Sequence, residues 1–309
     1  MNNEVHQQLQ AELAFLRRDL EDTPVNARLT RMSIEARLRK VETELKTLPA
    51  NTWEPARARL TFDGIPVIGS HGIFADFAMK AVSSFTDAVA SVAASLVAPL
   101  ASMGPIPNRD QNQLLITNTA IGSFGFELEE FSASQTSLYD ESPMSIALEK
   151  TQALLHGTLQ SDDELADVAS ETDPRALDKI RVFLKVLADS EAVCALQYNG
   201  QSIRFSDVGQ VRNSLNRLST DNLRESPEQL IGTFEGVLPK SRTFEFRLAD
   251  NQQTIRGKVS PTIQNINGIN QHLYESVCID VMATQVGNGK PRYLLTKVPA
   301  WDEPINAEN

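Results

Sequence analysis

The chain has 309 residues, 41% hydrophobic and 22% charged, with fifteen glycines and fifteen prolines, a make-up that excludes a largely disordered chain and predicts two or three folding units. Its net charge of −11 disfavours non-specific binding to nucleic acid or an anionic membrane, because both surfaces repel an acidic protein. The charge is uneven: residues 1–50 balance at zero, 140–190 carry −6 and 228–298 carry +2, so a polyanion-binding surface belongs, if anywhere, to the last section.

Cys194 and Cys278 are the two cysteines. Each lies in an apolar run far from the other, which offers neither a disulfide framework nor a metal-ligand spacing and fits a reducing compartment. The opening stretch MNNEVHQQLQ lacks the basic-then-apolar order of a signal peptide, so a cytoplasmic protein is expected. The uncharged run 88–108 is rich in Ala and Ser and contains Pro99, Pro105 and Pro107, which suits a buried core helix and not a membrane span.

Residues 1–50 read as a helical hairpin or short coiled coil. Leu9, Leu13, Leu16 and Leu20 form one stripe, and Ile34, Leu38, Val41, Leu45 and Leu48 form another, with Pro24 in the break between them. Each arm spans about two heptads, which is short for an isolated coiled coil, so Leu9, Leu13, Leu16, Leu20, Ile34, Leu38, Val41 and Leu45 are the expected oligomerisation residues of a homo-oligomer. The competing expectation is a hairpin packed on its own body.

After a linker with Trp53 and Pro55, residues 57–135 read as an α+β unit. ARLTFDGIPVIGS suggests a hairpin turning at Asp63-Gly64. A helix started by Ser70 or Gly72 carries Phe74, Phe77, Ala81, Phe85, Val89, Val92 and Leu96 on one face. QLLITNTAIGSFGFELEEF supplies two strands, with Phe124, Phe126 and Leu128 sharing a face. Residues 140–225 read as a helical section with a β-hairpin: a helix from Pro143 to Gly157, a capping box at Ser161 and Glu164, a third helix from Asp173-Pro174, the hairpin AVCALQYNGQSIRF and a helix after Ser206. Whether these two sections share a domain stays open at this stage.

Residues 228–299 carry three strands, a helical connection and two more strands, the element order of an oligonucleotide/oligosaccharide-binding (OB) barrel; an SH3-like barrel is the alternative. Residues 300–309 form an acidic tail. The fold class is therefore multidomain α+β with a small C-terminal barrel. On such a barrel a ligand lies over strands two and three, between the loops PKSR and GNGKPR. Seven cations gather there: Lys240, Arg242, Arg247, Arg256, Lys258, Lys290 and Arg292. Phe244 and Phe246 point inward, so the face lacks aromatics for stacking bases.

IGSHGI at 68–73 and IGSFGF at 121–126 repeat one pattern. Neither has the Lys-Ser/Thr of a P-loop or the Gly-x-Ser-x-Gly of a nucleophile elbow. Their glycines are expected at positive-φ or crowded positions, with Ser70 capping a helix. The four histidines are scattered. The carboxylates Glu127, Glu129, Glu130 and Asp162, Asp163, Glu164 fit a solvated strand face and a helix N-terminus better than a metal site. No catalytic residue, metal site or cofactor is assigned. The expected function is a non-catalytic, self-associating scaffold, adaptor or sensor subunit of a multi-component bacterial assembly that contacts protein partners through the barrel. The alternative is nucleic-acid binding through the barrel's basic face, with the acidic 140–190 section turned away or masking it.

Overall fold

The computed structural model of the chain describes residues 55–120, 124–131 and 142–301 and, in the first fifty, residues 9, 12–13, 15–20, 23–24 and 27–47. Two compact units emerge, residues 1–55 with 134–140 and residues 56–133 with 141–309.

The first unit is a helical hairpin. Residues 15–20 (α1) and Arg28–Thr47 (α2) are helical. Leu16, Ile34, Leu38 and Val41 are buried together, with Leu9, Leu13 and Leu20 packed against them. The Arg31 guanidinium donates to the carbonyls of Leu20 and Thr23, bracing the turn. Arg37 pairs with Glu12 at 2.6 Å. The two leucine stripes thus meet each other. The side chain of Leu45, and Leu48 entirely, lie outside the described residues, as does Trp53.

The second unit begins with an antiparallel sheet in the order β4-β5-β1-β6-β7. Its strands are β1 (Arg57–Gly64), β4 (Gln113–Ala120), β5 (Phe124–Phe131), β6 (Ala192–Tyr198) and β7 (Gln201–Arg204). Alternation dictates its two faces. Ala58, Leu60 and Phe62 of β1 are buried beside Leu128 of β5 and Leu196 and Cys194 of β6. On the opposite face, Arg57 pairs with Glu129 at 2.9 Å and Arg59 with Glu127 at 3.0 Å, each directly across from its partner. The β6–β7 hairpin turns on Asn199 and Gly200, both at positive φ as its two-residue turn requires. Because β6 pairs with β1, the sections 57–135 and 140–225 share one sheet and one core, which answers the question left open by the sequence.

Over the buried face lie α3 (Ala75–Ser95), α4 (Pro143–Gly157) and α6 (Pro174–Asp189), joined by the shorter α5 (Asp162–Ser170) and α7 (Val208–Arg217). Phe85 meets Phe183 edge-on at 5.4 Å, and Phe77 meets Phe62 at the same distance. The capping box at Ser161 and Glu164 and the Asp173 cap before Pro174 are present as expected. Burial pushes the Cys194 thiol up to about 12, leaving it protonated and inert.

Two local expectations are corrected. No hairpin turns at Asp63-Gly64: β1 runs through both residues to pair with β6, and the small hairpin that follows joins β2 (Val67–Ile68) to β3 (Gly72–Ile73). Gly64 is needed instead for its φ of +113° and because a Cβ there would lie 2.4 Å from the Glu191 carbonyl oxygen. Nor does Ser70 cap α3. The cap position is Phe74, which makes no side-chain cap hydrogen bond, while Ser70 is exposed in the β2–β3 turn.

The remaining strands close a five-stranded barrel, β10-β12-β11-β8-β9: β8 (Leu223–Leu238), β9 (Thr243–Leu248), β10 (Thr254–Val259), β11 (Ser276–Val286) and β12 (Arg292–Leu295). Its first strand pairs with β11 along its first half and with β9 along its second, so one long strand bends around the barrel. Its ladder with β9 is irregular between Phe234 and Gly236, and at Gly232, paired with both neighbours, a Cβ would lie 2.0 Å from the Arg247 carbonyl oxygen. The strand starts at Leu223 and not at 228 as expected. Pro227 sits where β8 has β11 as its one neighbour, so its missing N–H interrupts no second ladder. The expected helical connection shrinks to α8 (Ile266–Ile269) and a 3-10 turn, Asn270–His272. Inside, Phe234 meets Phe246 at 5.0 Å and Phe244 at 5.9 Å.

Among the described residues, no helix is long and apolar enough to cross a membrane.

Candidate interaction surfaces

The barrel face expected to bind a ligand is where its cations can be judged one by one. Arg242, at the end of the β8–β9 loop, turns back into the protein at a φ of +51°. Its guanidinium donates to the carbonyls of Val259, Ser260 and Ile263, so it staples the loop to the end of β10. On the strands, Arg247 pairs with Glu235 and Arg256 with Glu245, at 2.8 Å for the latter. Glu235 also accepts from Thr254, which holds its carboxyl below the usual carboxylate range.

Arg292, Lys258 and the Lys290 backbone meet the acidic helix α5 and the turn after it. Arg292 pairs with Asp167 and, at 3.6 Å, with Asp163, and hydrogen bonding to Asp167 raises its pKa further. Lys258 reaches Glu171 at 3.2 Å. The Lys290 backbone N–H faces Asp163 at 3.4 Å. Arg217 anchors the helix start through Asp162 at 2.7 Å. Beneath these pairs Leu165, Ala166 and Ala169 are wholly buried, in one core with Leu223 and Val286 of the barrel strands. Thus α5 is a fixed part of the wall that screens this side of the barrel.

Five of the seven expected binding cations therefore have intrachain partners. Lys240 and Lys290 are exposed, with no side-chain partner among the described residues. Substituting Arg242 by alanine leaves three carbonyls without their charged donor, so we expect a loss of about 2 kcal/mol, read as a lower urea midpoint at unchanged slope.

His71 is exposed in the β2–β3 turn beside Ser70. Of the first glycine pair, Gly69 has a φ of +53°, whereas Gly72 has open space around it. In the second copy, residues 121–123 lie outside the described residues, while Gly125 is tightly enclosed: a Cβ there would lie 2.2 Å from the Leu60 carbonyl oxygen. Glu130 is buried, accepting from Ser142 Oγ at 2.6 Å and from the Ala56 N–H at 3.3 Å. Among the described residues no cluster of His, Cys, Asp and Glu could hold a metal ion.

Desolvation raises the Glu130 pKa. The folded chain therefore holds that proton more tightly than the unfolded chain, and stability present at low pH is lost as pH rises through the raised value. Glu130→Gln removes this dependence, so urea midpoints of the variant should gain on wild type as pH rises above the ordinary carboxylate range.

Two surfaces were not singled out from sequence. A groove of about 650 Å³ runs beside β7, walled by Glu149 and His156 of α4, Glu164 and Asp167 of α5, and Ser202 and Ile203 of the strand. At the sheet's other edge, β4 exposes Leu115 at 44% and Ile116 at 56%. The strand itself was expected; the signal that could have marked it as an exposed edge is the absence of charge between Asp110 and Glu127.

Comparison with protein-family models, curated proteins and solved structures finds no match to this chain.

Proposed function

We propose that this chain is a non-catalytic, self-associating interaction protein, a scaffold or sensor subunit of a multi-component assembly. In this reading the N-terminal hairpin mediates self-association and the C-terminal barrel contacts a protein partner. The barrel is read as OB-like because its strands close in the order one-two-three-five-four, with the third and fifth parallel.

The observation that carries the choice of a protein partner is the charge balance of the barrel face. Phosphate backbones are bound by cations free to displace counterions. Here Arg247 and Arg256 are matched by Glu235 and Glu245, and Lys258 and Arg292 by Glu171 and Asp167. A mosaic of paired charges offers a protein partner polar complementarity and leaves little net attraction for a polyanion. The inward Phe244 and Phe246, each at most 1% exposed, are also withheld from base stacking.

The test is fluorescence anisotropy with a labelled oligothymidine at low and high salt. No salt-dependent binding is expected. Binding that weakens on joint replacement of Lys240 and Lys290 by glutamine would reverse the assignment in favour of nucleic acid; Arg242 and Arg292 stay intact in this test because they hold the barrel together.

A further inference from the structure

The two edges of the central sheet are built differently. At one edge, β7 has four residues, includes Arg204 and lies along a groove walled by α4 and α5. At the other, β4 has eight residues, with no charge and no proline. Edge strands are ordinarily blunted by charge, proline, shortness or cover, because their unpaired N–H and C=O groups template the addition of another strand. In a chain with 22% charged residues, such a bare edge stands apart. One protective device is present: a bulge between Ile116 and Asn118. It leaves residues 113–116 as the regular part of the edge.

Apolar groups flank that part on both faces. Leu114 packs partly on the core and Ile116, opposite Leu128, extends the same face outward. On the reverse face stand Leu115 and, opposite Gln113, Phe131 at 40% exposure.

We propose that residues 113–116 of β4 pair antiparallel with β4 of a second copy of this chain, joining two five-stranded sheets into one across a two-fold axis. An isologous contact requires a self-complementary surface, and an uncharged strand brings no like charges together. A register centred on Leu115 sets Leu114 opposite Ile116 of the second copy, apolar against apolar on the core face, and Leu115 opposite its own counterpart on the other. An acidic or basic partner strand would find no complementary charge here. This contact is separate from the hairpin and goes beyond the self-association proposed for it.

Light-scattering mass of four full-length proteins separates the two contacts: wild type, Ile116→Lys, Leu38→Glu and the double variant. Ile116 is exposed, so lysine is tolerated in the fold, while the contact would set each lysine against Leu114 of the second copy and bring two like charges onto one face beside the axis. The expected result is that Leu38→Glu, with its hairpin seam disrupted, remains a dimer and that adding Ile116→Lys halves its mass. A Leu38→Glu protein that is already a monomer, or a mass that Ile116→Lys leaves unchanged, would overturn β4 pairing; the former leaves the hairpin reading standing. In the unmodified protein, amide exchange of residues 113–116 should slow by ~10-fold or more between dilute and concentrated samples, and concentration-independent exchange would equally overturn it.

Discussion

Substitution of Gly125 by valine is expected to prevent the central sheet from forming, with a loss exceeding ~4 kcal/mol. The reason is local and steric: even a Cβ would lie 2.2 Å from the Leu60 carbonyl oxygen and 2.5 Å from Thr61 Cα, both backbone atoms of the central strand that cannot swing aside. Separation of β1 from β5 would also break the cross-strand pairs Arg57–Glu129 and Arg59–Glu127. Alanine replacement of Ser70 or His71, exposed in the other copy of the repeat, should change stability by less than ~0.5 kcal/mol. Circular dichroism with urea titration reads both. If Gly125→Val melts like wild type, the repeat is not structural at this position.

The second large effect is expected in the barrel. Phe234 is fully buried and touches Phe244 and Phe246 edge-on, with Trp301 at 6.4 Å. Truncation to alanine removes the ring from the centre of a small core enclosed by five strands, which have little freedom to collapse onto the gap. A loss of about 3–5 kcal/mol follows. The barrel's first strand also pairs through Leu223 and Val286 into the core shared with α5, so the loss should appear in one cooperative transition. Two separated transitions in urea, with the first alone shifted, would show that the barrel unfolds independently of the sheet.

Much of the architecture was legible because local signals agreed with the global fold. Ser161 and Glu164, Asp173-Pro174 and Asn199-Gly200 each specify backbone geometry through their own side chains or conformational freedom. Inward placement of Phe244 and Phe246 followed from alternation alone. Failures occurred where tertiary context decided the outcome. Asp63-Gly64 has the chemistry of a hairpin turn, yet the β6 ladder continues past it. Pro227 forbids a strand only if both ladders are needed, and the number of neighbours of β8 is a property of the closed barrel.

The surface was harder to read than the core. Arg242 and Arg292 were read into the loops where ligand-binding cations belong, but only the fold reveals that one is turned onto Val259, Ser260 and Ile263 and the other, at the start of β12, onto Asp167. The opposite charge balances of residues 140–190 and 228–298 were the available hint that α5 and the barrel meet. The leucine stripes of the hairpin are an analogous case. Leu16, Ile34, Leu38 and Val41 bury one another within a single hairpin, whereas Phe15 and Met32 stay exposed at 67% and 66%.

The most direct measurement is the light-scattering mass of the purified protein at low and high salt, with the ratio of absorbance at 260 and 280 nm recorded on the same peak. A multimer of unchanged mass at both salts and free of nucleic acid is the predicted result. A monomer carrying nucleic acid that dissociates at high salt would contradict the account and make the barrel's cations its functional site.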